Sequence, residues 1–280
     1  MILLKGNWFL RMSFRYIFVL TFISSLLEAG SFRLVTYNIL SDDFLWDEMY
    51  DFVDKDILFW PNRRVKIVER IKKLNPDVIC LQELNSSSFE YFKESFPQFE
   101  GSFAKKLSGS EDGVGTFCRK NFFKAIQHEK KIDVSRTAFA TQPALVTTLG
   151  LDSDRSVTLV NTKIKWSKTV RIGDSIWNQI QFILKTIPSK STVIVGDFNI
   201  QPHNPIMNQF HLSGLQDAFS DKKTYTCFAN DMYQRVDYIL LSKDLQSVPI
   251  ECLSLDSAKP MPNETEPSDH LPIGCMVTYE

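Results

Sequence analysis

Histidine is scarce in this 280-residue chain, with only four, and there is no Cys-x-x-Cys pair or Cys/His cluster, so the usual ligand sets of a zinc site are missing. No segment repeats at a fixed period and none is of low complexity, which makes solenoids, propellers and disordered tails poor readings. Gly/Ser-rich and Pro-rich linkers are also missing, leaving one compact domain as the simplest organisation. Neither sign of charge dominates: 32 basic residues face 33 acidic ones, a net charge of −1. Non-specific nucleic-acid binding draws on phosphate neutralisation and usually comes with a strongly basic chain, so any polyanion contact here must be local.

The chain does have the means to bury a large core, being 44% hydrophobic and 12% aromatic. Cys80, Cys118 and Cys275 lie in apolar, strand-like runs and read as small core residues, while Cys227 and Cys252 are left as a pair that spacing alone neither joins nor separates. The N-terminus differs in kind. Arg11 and Arg15 precede the apolar run Tyr16 to Leu27, and the small residues Ala29 and Gly30 follow. This reads as a signal peptide over residues 1–30, with Met12 as an alternative start, followed by a catalytic domain over 31–280. The apolar run falls short of the roughly 20 residues a membrane span needs, although an uncleaved anchor is the competing reading. A secreted or periplasmic monomer without a stable membrane span is therefore expected. Cleavage would remove Lys5, Arg11, Arg15 and Glu28, moving the net charge from −1 to −3.

Short β-rich runs recur at Phe32 to Leu40, Asp77 to Leu84, Gly113 to Arg119, Ala144 to Leu149, Ser156 to Ile164, Thr192 to Asn199, Val236 to Leu241 and Ile273 to Tyr279. Helical periodicity appears in Arg64 to Leu74, stopped by Asn75-Pro76, and in Ser175 to Ile187, stopped by Pro188; a third helix is expected after Pro205. Mixed strands with intervening helices predict a layered α/β fold.

Polar residues recur at the ends of these strands. Asp197 and Asn199 follow the run Thr192 to Gly196, and Glu83 closes Asp77 to Gln82. Asn38 lies in the first strand, Asp237 opens another, and Asp269-His270 precedes the last. Each has an ordinary structural reading as an exposed strand end, a hydrogen-bonded amide or a turn aspartate. Together, four carboxylates, two amides and an imidazole form a hard, oxygen-rich set that suits Mg²⁺ or Mn²⁺ and disfavours zinc or copper. A metal in such a set would bind substrate phosphate and help activate water.

The order Asn38, Glu83, Asp197-Phe198-Asn199, Asp237, Asp269-His270 resembles the endonuclease/exonuclease/phosphatase superfamily. The segments Tyr37 to Asp42, Asn75 to Glu83, Asn161-Thr162 with Trp166, and Glu266 to His270 are most similar to its deadenylase, nocturnin and angel branch. The resemblance implies a four-layer α/β/β/α sandwich of two mixed β-sheets flanked by helices. It also implies Glu83 as Mg²⁺ ligand with Asn38 and Asp269, Asp197 and Asn199 acting on the water or phosphate, and His270 on the scissile phosphate with Asp237 behind it. One position departs from the family: where Asn-Thr-His is common, this chain has Asn161-Thr162-Lys163. Asn161 and Lys163 are then the expected phosphate contacts, with Lys165, Lys168 and Arg171 forming a basic rim. The expected activity is metal-dependent hydrolysis of RNA or single-stranded nucleic acid, with Tyr37, Phe44, Trp46, Trp60 and Trp166 available to stack bases. The alternatives are a phospholipid or inositol-phosphate phosphodiesterase, for which Phe122-Phe123 is a candidate apolar contact, and a non-catalytic binding protein whose site Lys163 has damaged.

Overall fold

The structure is a computed structural model that describes residues 30–46, 48–106, 110–133, 142–220, 225–229, 231–250 and 259–280. The apolar N-terminal run and Cys252 lie outside the described residues. Along the chain run β1 (Gly30–Asn38), α1 (Lys55–Leu58), α2 (Trp60–Leu74), β2 (Val78–Leu84), α3 (Ser86–Ser95), β3 (Phe99–Lys105), β4 (Gly113–Arg119), β5 (Ala125–Asp133), β6 (Pro143–Gly150) and β7 (Ser156–Lys163). They are followed by α4 (Ser175–Thr186), β8 (Thr192–Asp197), α5 (Asn208–Leu212), β9 (Leu215–Asp217), β10 (Cys227–Ala229), β11 (Met232–Gln234), β12 (Asp237–Ser242), β13 (Gln246–Pro249) and β14 (Ile273–Tyr279).

Two six-stranded sheets, ordered β13-β14-β1-β2-β4-β3 and β5-β6-β7-β8-β12-β9, carry the fold. In each, one central pair is parallel, β1 with β2 and β7 with β8, and its other pairings are antiparallel. The sheets face each other because strand side chains alternate and one apolar row of each strand points inward. Phe32, Leu34, Val78, Cys80 and Cys275 from the first sheet meet Leu159, Val193, Val195 and Ile239 from the second in one buried cluster. The opposite rows face helices. Ile79 and Leu81 pack under α2 and α3, through Ile67, Ile71 and Phe92. Val160, Ile194 and Leu240 pack under α4 and α5, through Ile180, Ile183 and Phe210. The result is the expected α/β/β/α sandwich.

Helix α2 starts four residues before the periodicity suggested, because Pro61 suits a first turn, and it ends with Asn75 left-handed at φ 45°. Helix α3 is not among the helices expected from the sequence. A capping box between Asn85 and Ser88 starts it. The helix expected after Pro205 is a 3₁₀ turn, Pro205–Met207, running into the short α5. Among the described residues no helix is long and apolar enough to cross a membrane.

Arg63, on the inner face of α2 and only 1% exposed, fastens the segments that meet at one end of the sandwich. It donates to the carbonyls of Leu58, Ile39, Leu40 and Pro267 and pairs with Asp42 at 2.6 Å. Removing it strands several buried acceptors at once. Arg63→Met should therefore lower stability by about 3 kcal/mol or more, judged from unsatisfied buried polar groups. Urea titration would show this as a lower midpoint at unchanged slope; an unaltered midpoint would contradict the role.

Candidate active site

The inward rows that are apolar along most of their length turn polar at the same end of the sandwich. On β1 the row Phe32, Leu34 continues to Thr36 and Asn38, and on β2 the row Val78, Cys80 reaches Gln82. On β7 the row Val157, Leu159 runs to Asn161 and Lys163, on β8 Val193, Val195 runs to Asp197, and β12 begins at Asp237. Register then sets them side by side: Asn38 lies opposite Gln82, Lys163 opposite Asp197, and Asp197 opposite Asp237. The loop before β14 adds Asp269 and His270, the latter bridged to Cys227.

Glu83 joins them through an irregularity. In a regular strand it would point away from Gln82, toward the helices. Instead the pairing with β4 slips between Gln82 and Leu84, and Glu83 takes φ 62°. Leu40 (φ 58°) and Asn199 (φ 51°) flank the same site in the left-handed region. For side-chain-bearing residues such backbone costs on the order of 1–3 kcal/mol each and concentrates where function requires it, although Asn199 tolerates it best. Gly196, with φ 135°, leads into Asp197, and a Cβ there would lie 1.8 Å from the Thr162 carbonyl oxygen.

The groups are closely interlocked. Asn38 Nδ2 donates to Glu83 Oε1 at 2.8 Å and to Asp197 Oδ2 at 3.0 Å, while its oxygen accepts from the Leu40 N–H. Glu83 Oε2 accepts from the Ser41 N–H at 2.7 Å, and Lys163 Nζ lies 2.5 Å from Glu83 Oε1. Asp197 accepts from the Asn199 N–H at 2.8 Å and, more loosely, from Asn199 Nδ2 at 3.3 Å. His270 Nδ1 sits 2.8 Å from Asp237 Oδ2 and its Nε2 3.9 Å from Asp197 Oδ2. Asp269 Oδ2 accepts from the Tyr50 hydroxyl at 3.0 Å, and Ser268 Oγ ties this loop to the Asn38 carbonyl at 2.8 Å.

Burial and neighbouring charges pull the protonation equilibria in opposite directions. Burial pushes Glu83 up, but Lys163, Asn38 and the Ser41 N–H outweigh it and hold the carboxyl at about 2. Burial dominates at Asp197, with Asp237 adding to it against His270, and raises it to about 6. Burial would lower the His270 imidazole, yet Asp237 and the neighbouring acids raise it well above the ordinary range. Cys227 is pushed up to about 12 by burial, so it sits beside His270 as a thiol.

Two compact ligand groupings occur among the described residues, Asp197–Asp237–His270 and Cys227–Asp269–His270. In both, His270 already has its Nδ1 paired with Asp237 at 2.8 Å, and the second adds a buried thiol, a soft donor that suits Mg²⁺ or Mn²⁺ poorly. Glu83 and Asp269 are the better pair. Both are carboxylates with a hydrogen-bonded orientation, and hard oxygen donors fit Mg²⁺ or Mn²⁺.

Asn161 is a correction. Expected to touch phosphate, it is fully buried between the sheets, donating to the Gly115 carbonyl at 2.8 Å and accepting from Gln82 Nε2 at 2.8 Å. Its bonds are spent tying the sheets together beneath the site. Lys163 is directed at Glu83 rather than free at the rim. Of the aromatics, Tyr37 is core, Phe44 and Trp60 are half-buried, and Trp46 and Trp166 are exposed. Phe123 joins the core while Phe122 is exposed. Ser41, Tyr50, Thr226 and Ser268 escaped sequence reasoning, since each acts through hydrogen bonds to partners that only the fold brings near. Thr226 Oγ1, for instance, accepts from the N–H groups of Val236 and Asp237.

Comparison with known proteins finds relatives in sequence and in fold. Carbon catabolite repressor protein 4 homolog 3 of Arabidopsis thaliana is 27% identical over 202 residues, 69% of this chain and 45% of that protein. The CCR4-Not complex 3'-5'-exoribonuclease subunit Ccr4 of Candida glabrata is 24% identical over 324 residues, 90% of this chain and 37% of that protein. The chain thus spans less than half the length of these relatives. Among solved structures, ANGEL2, a 2',3'-cyclic phosphatase, superposes with a TM-score of 0.80 at 20% identity, covering 90% of this chain and 96% of that one. The expectation of a secreted or periplasmic protein is overturned by these relatives, one named as a carbon catabolite repressor protein 4 homolog and the other as a CCR4-Not complex 3'-5'-exoribonuclease subunit. Residues 35–270, from the middle of β1 to His270, match the Endonuclease/Exonuclease/phosphatase family, and the chain belongs to that family of phosphoester hydrolases.

Proposed function

We propose that the chain hydrolyses phosphodiesters with the help of a divalent metal, and that its substrate is RNA or single-stranded nucleic acid. The observation that carries this reading is the convergence of Glu83, Asp197 and Asp269 with the Asp237–His270 pair, bridged by Asn38. Glu83 and Asp269 hold the metal, and Asn38 orients Glu83 beside it. A bound Mg²⁺ or Mn²⁺ ion supplies Lewis-acid stabilisation of the charge that develops on the phosphate. Asp197 takes the proton from the attacking water; its raised value, about 6, makes it a better base than an ordinary aspartate while leaving it ionised at neutral pH. Asn199 fixes that carboxylate through its backbone N–H. His270, kept cationic by Asp237, offers its Nε2 side to the phosphate oxygens.

RNA is favoured among phosphodiesters for two reasons. The Candida glabrata relative is named as a 3'-5'-exoribonuclease subunit. Trp46 and Trp166, 56% and 58% exposed, are available for base stacking.

Incubation of the full chain with 5'-labelled poly(A) and Mg²⁺ should shorten the RNA, EDTA should stop it, and Asp197→Asn should slow it about 10²–10⁴-fold, the usual worth of a general base. Intact poly(A) alongside hydrolysis of sphingomyelin or phosphoinositides would contradict the RNA reading. No turnover of any of these would contradict hydrolysis itself.

Asp237→Asn tests the pairing with His270 separately. Removing the anion removes the largest raising influence on the imidazole, so its titration by NMR should fall by about 1–3 pH units. In the wild type a raised imidazole stabilises the fold fully below the unfolded value of ~6.5, and this is lost as pH rises through the folded value. The variant should lack that dependence. An unmoved His270 titration would contradict the assignment.

A further inference from the structure

We propose that the Lys163 ammonium is a resident cation on Glu83, so that a divalent metal binds at Glu83 only by displacing it. The inference rests on the reading of Glu83 as a metal ligand. Ionised, a carboxylate offers about four lone-pair positions. Three on Glu83 are filled: Oε1 accepts from Asn38 Nδ2 and Lys163 Nζ, and Oε2 from the Ser41 N–H. Two of those donors are neutral and orient the group. The third carries a full positive charge at 2.5 Å, inside a site where both partners are buried, so a metal at the remaining position would face an ammonium with little solvent to screen it.

Lys163 is built into place rather than draped there. It lies at the end of the inward row of β7, its carbonyl accepts from Gln179 Nε2 on α4, and its Nζ stands 4.6 Å from the centre of the Phe44 ring. Lys106, whose Nζ stands 5.3 Å from the centre of the same ring, forms a second buried pair with Asp112 at 2.7 Å. Asp112 has one buried oxygen, Oδ2, without a hydrogen-bond partner among the described residues, and its charge acts on Lys163. That oxygen is the acceptor for the displaced ammonium. Between them, Glu83 and Asp112 give Lys163 two anionic positions, one occupied without metal and one with it. The ammonium also keeps Glu83 neutralised before metal arrives, so the carboxylates stay assembled instead of repelling one another.

The test is Mn²⁺ titration of the full-length protein, following free ion by electron paramagnetic resonance, with thermal unfolding measured in parallel. Lys163→Met should bind Mn²⁺ about 10–100-fold more tightly than wild type, the range over which groups adjoining metal ligands act. It should also melt lower than wild type without metal and recover when Mn²⁺ is added. Lys163→Gln, which keeps a donor for Glu83 and removes the charge, should tighten binding in the same direction and serves if Lys163→Met fails to fold. Asp112→Asn should weaken Mn²⁺ binding in the wild-type background and not in Lys163→Met; equal weakening in both would overturn Asp112 as the acceptor. If Glu83→Gln abolishes binding while neither Lys163 variant changes it, the displacement is wrong and the metal assignment stands. If Glu83→Gln binds Mn²⁺ as wild type does, or no variant binds, the metal assignment falls and the displacement with it.

Discussion

Four carboxylates, Glu83, Asp197, Asp237 and Asp269, are buried within one end of this sandwich, and the cost of removing that much like charge from water is the constraint around which the site is organised. Each has its own compensation. Glu83 has Lys163, Asn38 and a backbone N–H and is held low; Asp237 has the His270 imidazole; Asp269 has a tyrosine hydroxyl, and Asp197 has three amide donors from Asn38 and Asn199, yet burial raises the proton affinity of both. The difference in compensation separates their chemistry. A carboxylate held at about 2 stays an anion for a cation to bind, whereas one near 6 can accept a proton and remain ionised at neutral pH.

The two sheets make this concentration of charge tolerable. Their inward rows bury aliphatic and aromatic side chains along most of each strand, and only the last positions at one end are polar. Beneath the carboxylates, Thr36, Gln82 and Asn161 link the sheets through hydrogen bonds, a polar layer between the dry core and the site. Arg63 closes the outer side by holding the end of β1 and the loop carrying Asp269 to one helix. Backbone strain sits in the same place, at Leu40 and Glu83, and the well-packed sheets on either side hold it.

Much of this was legible in the chain because period-two alternation writes a strand's destination into its sequence. The runs ending at Asn38, Gln82 and Asp197 could be read as buried strands with polar tips, and Gly113–Arg119 and Ile273–Tyr279 were found to the residue. The same rule alone would aim Glu83 at the helices; the family resemblance assigned it to the site, and its orientation there depends on a slipped register with β4 that no local pattern announces. Asn161 as a phosphate contact, implied by the family resemblance, is overturned by packing. An amide on an inward row looks the same in sequence whether it faces a substrate or a neighbouring sheet, and only the packing of β7 against β2 and β4 decides. Tyr50, Ser41 and Arg63 were illegible for a related reason, since each works through partners 42 to 219 residues away or through several carbonyls at once. Lys163 could be seen as a departure from the family pattern, yet its partner could not, because the 80 residues separating it from Glu83 are closed only by the packing of one sheet on the other.

The most direct test of a metal-assembled phosphoesterase site is diffraction from crystals soaked in Mn²⁺, recorded at the manganese absorption edge. The account predicts one anomalous peak bonded to the carboxylates of Glu83 and Asp269, with Lys163 moved off Glu83. A peak among Asp197, Asp237 and His270 instead, or no peak at saturating Mn²⁺, would contradict it.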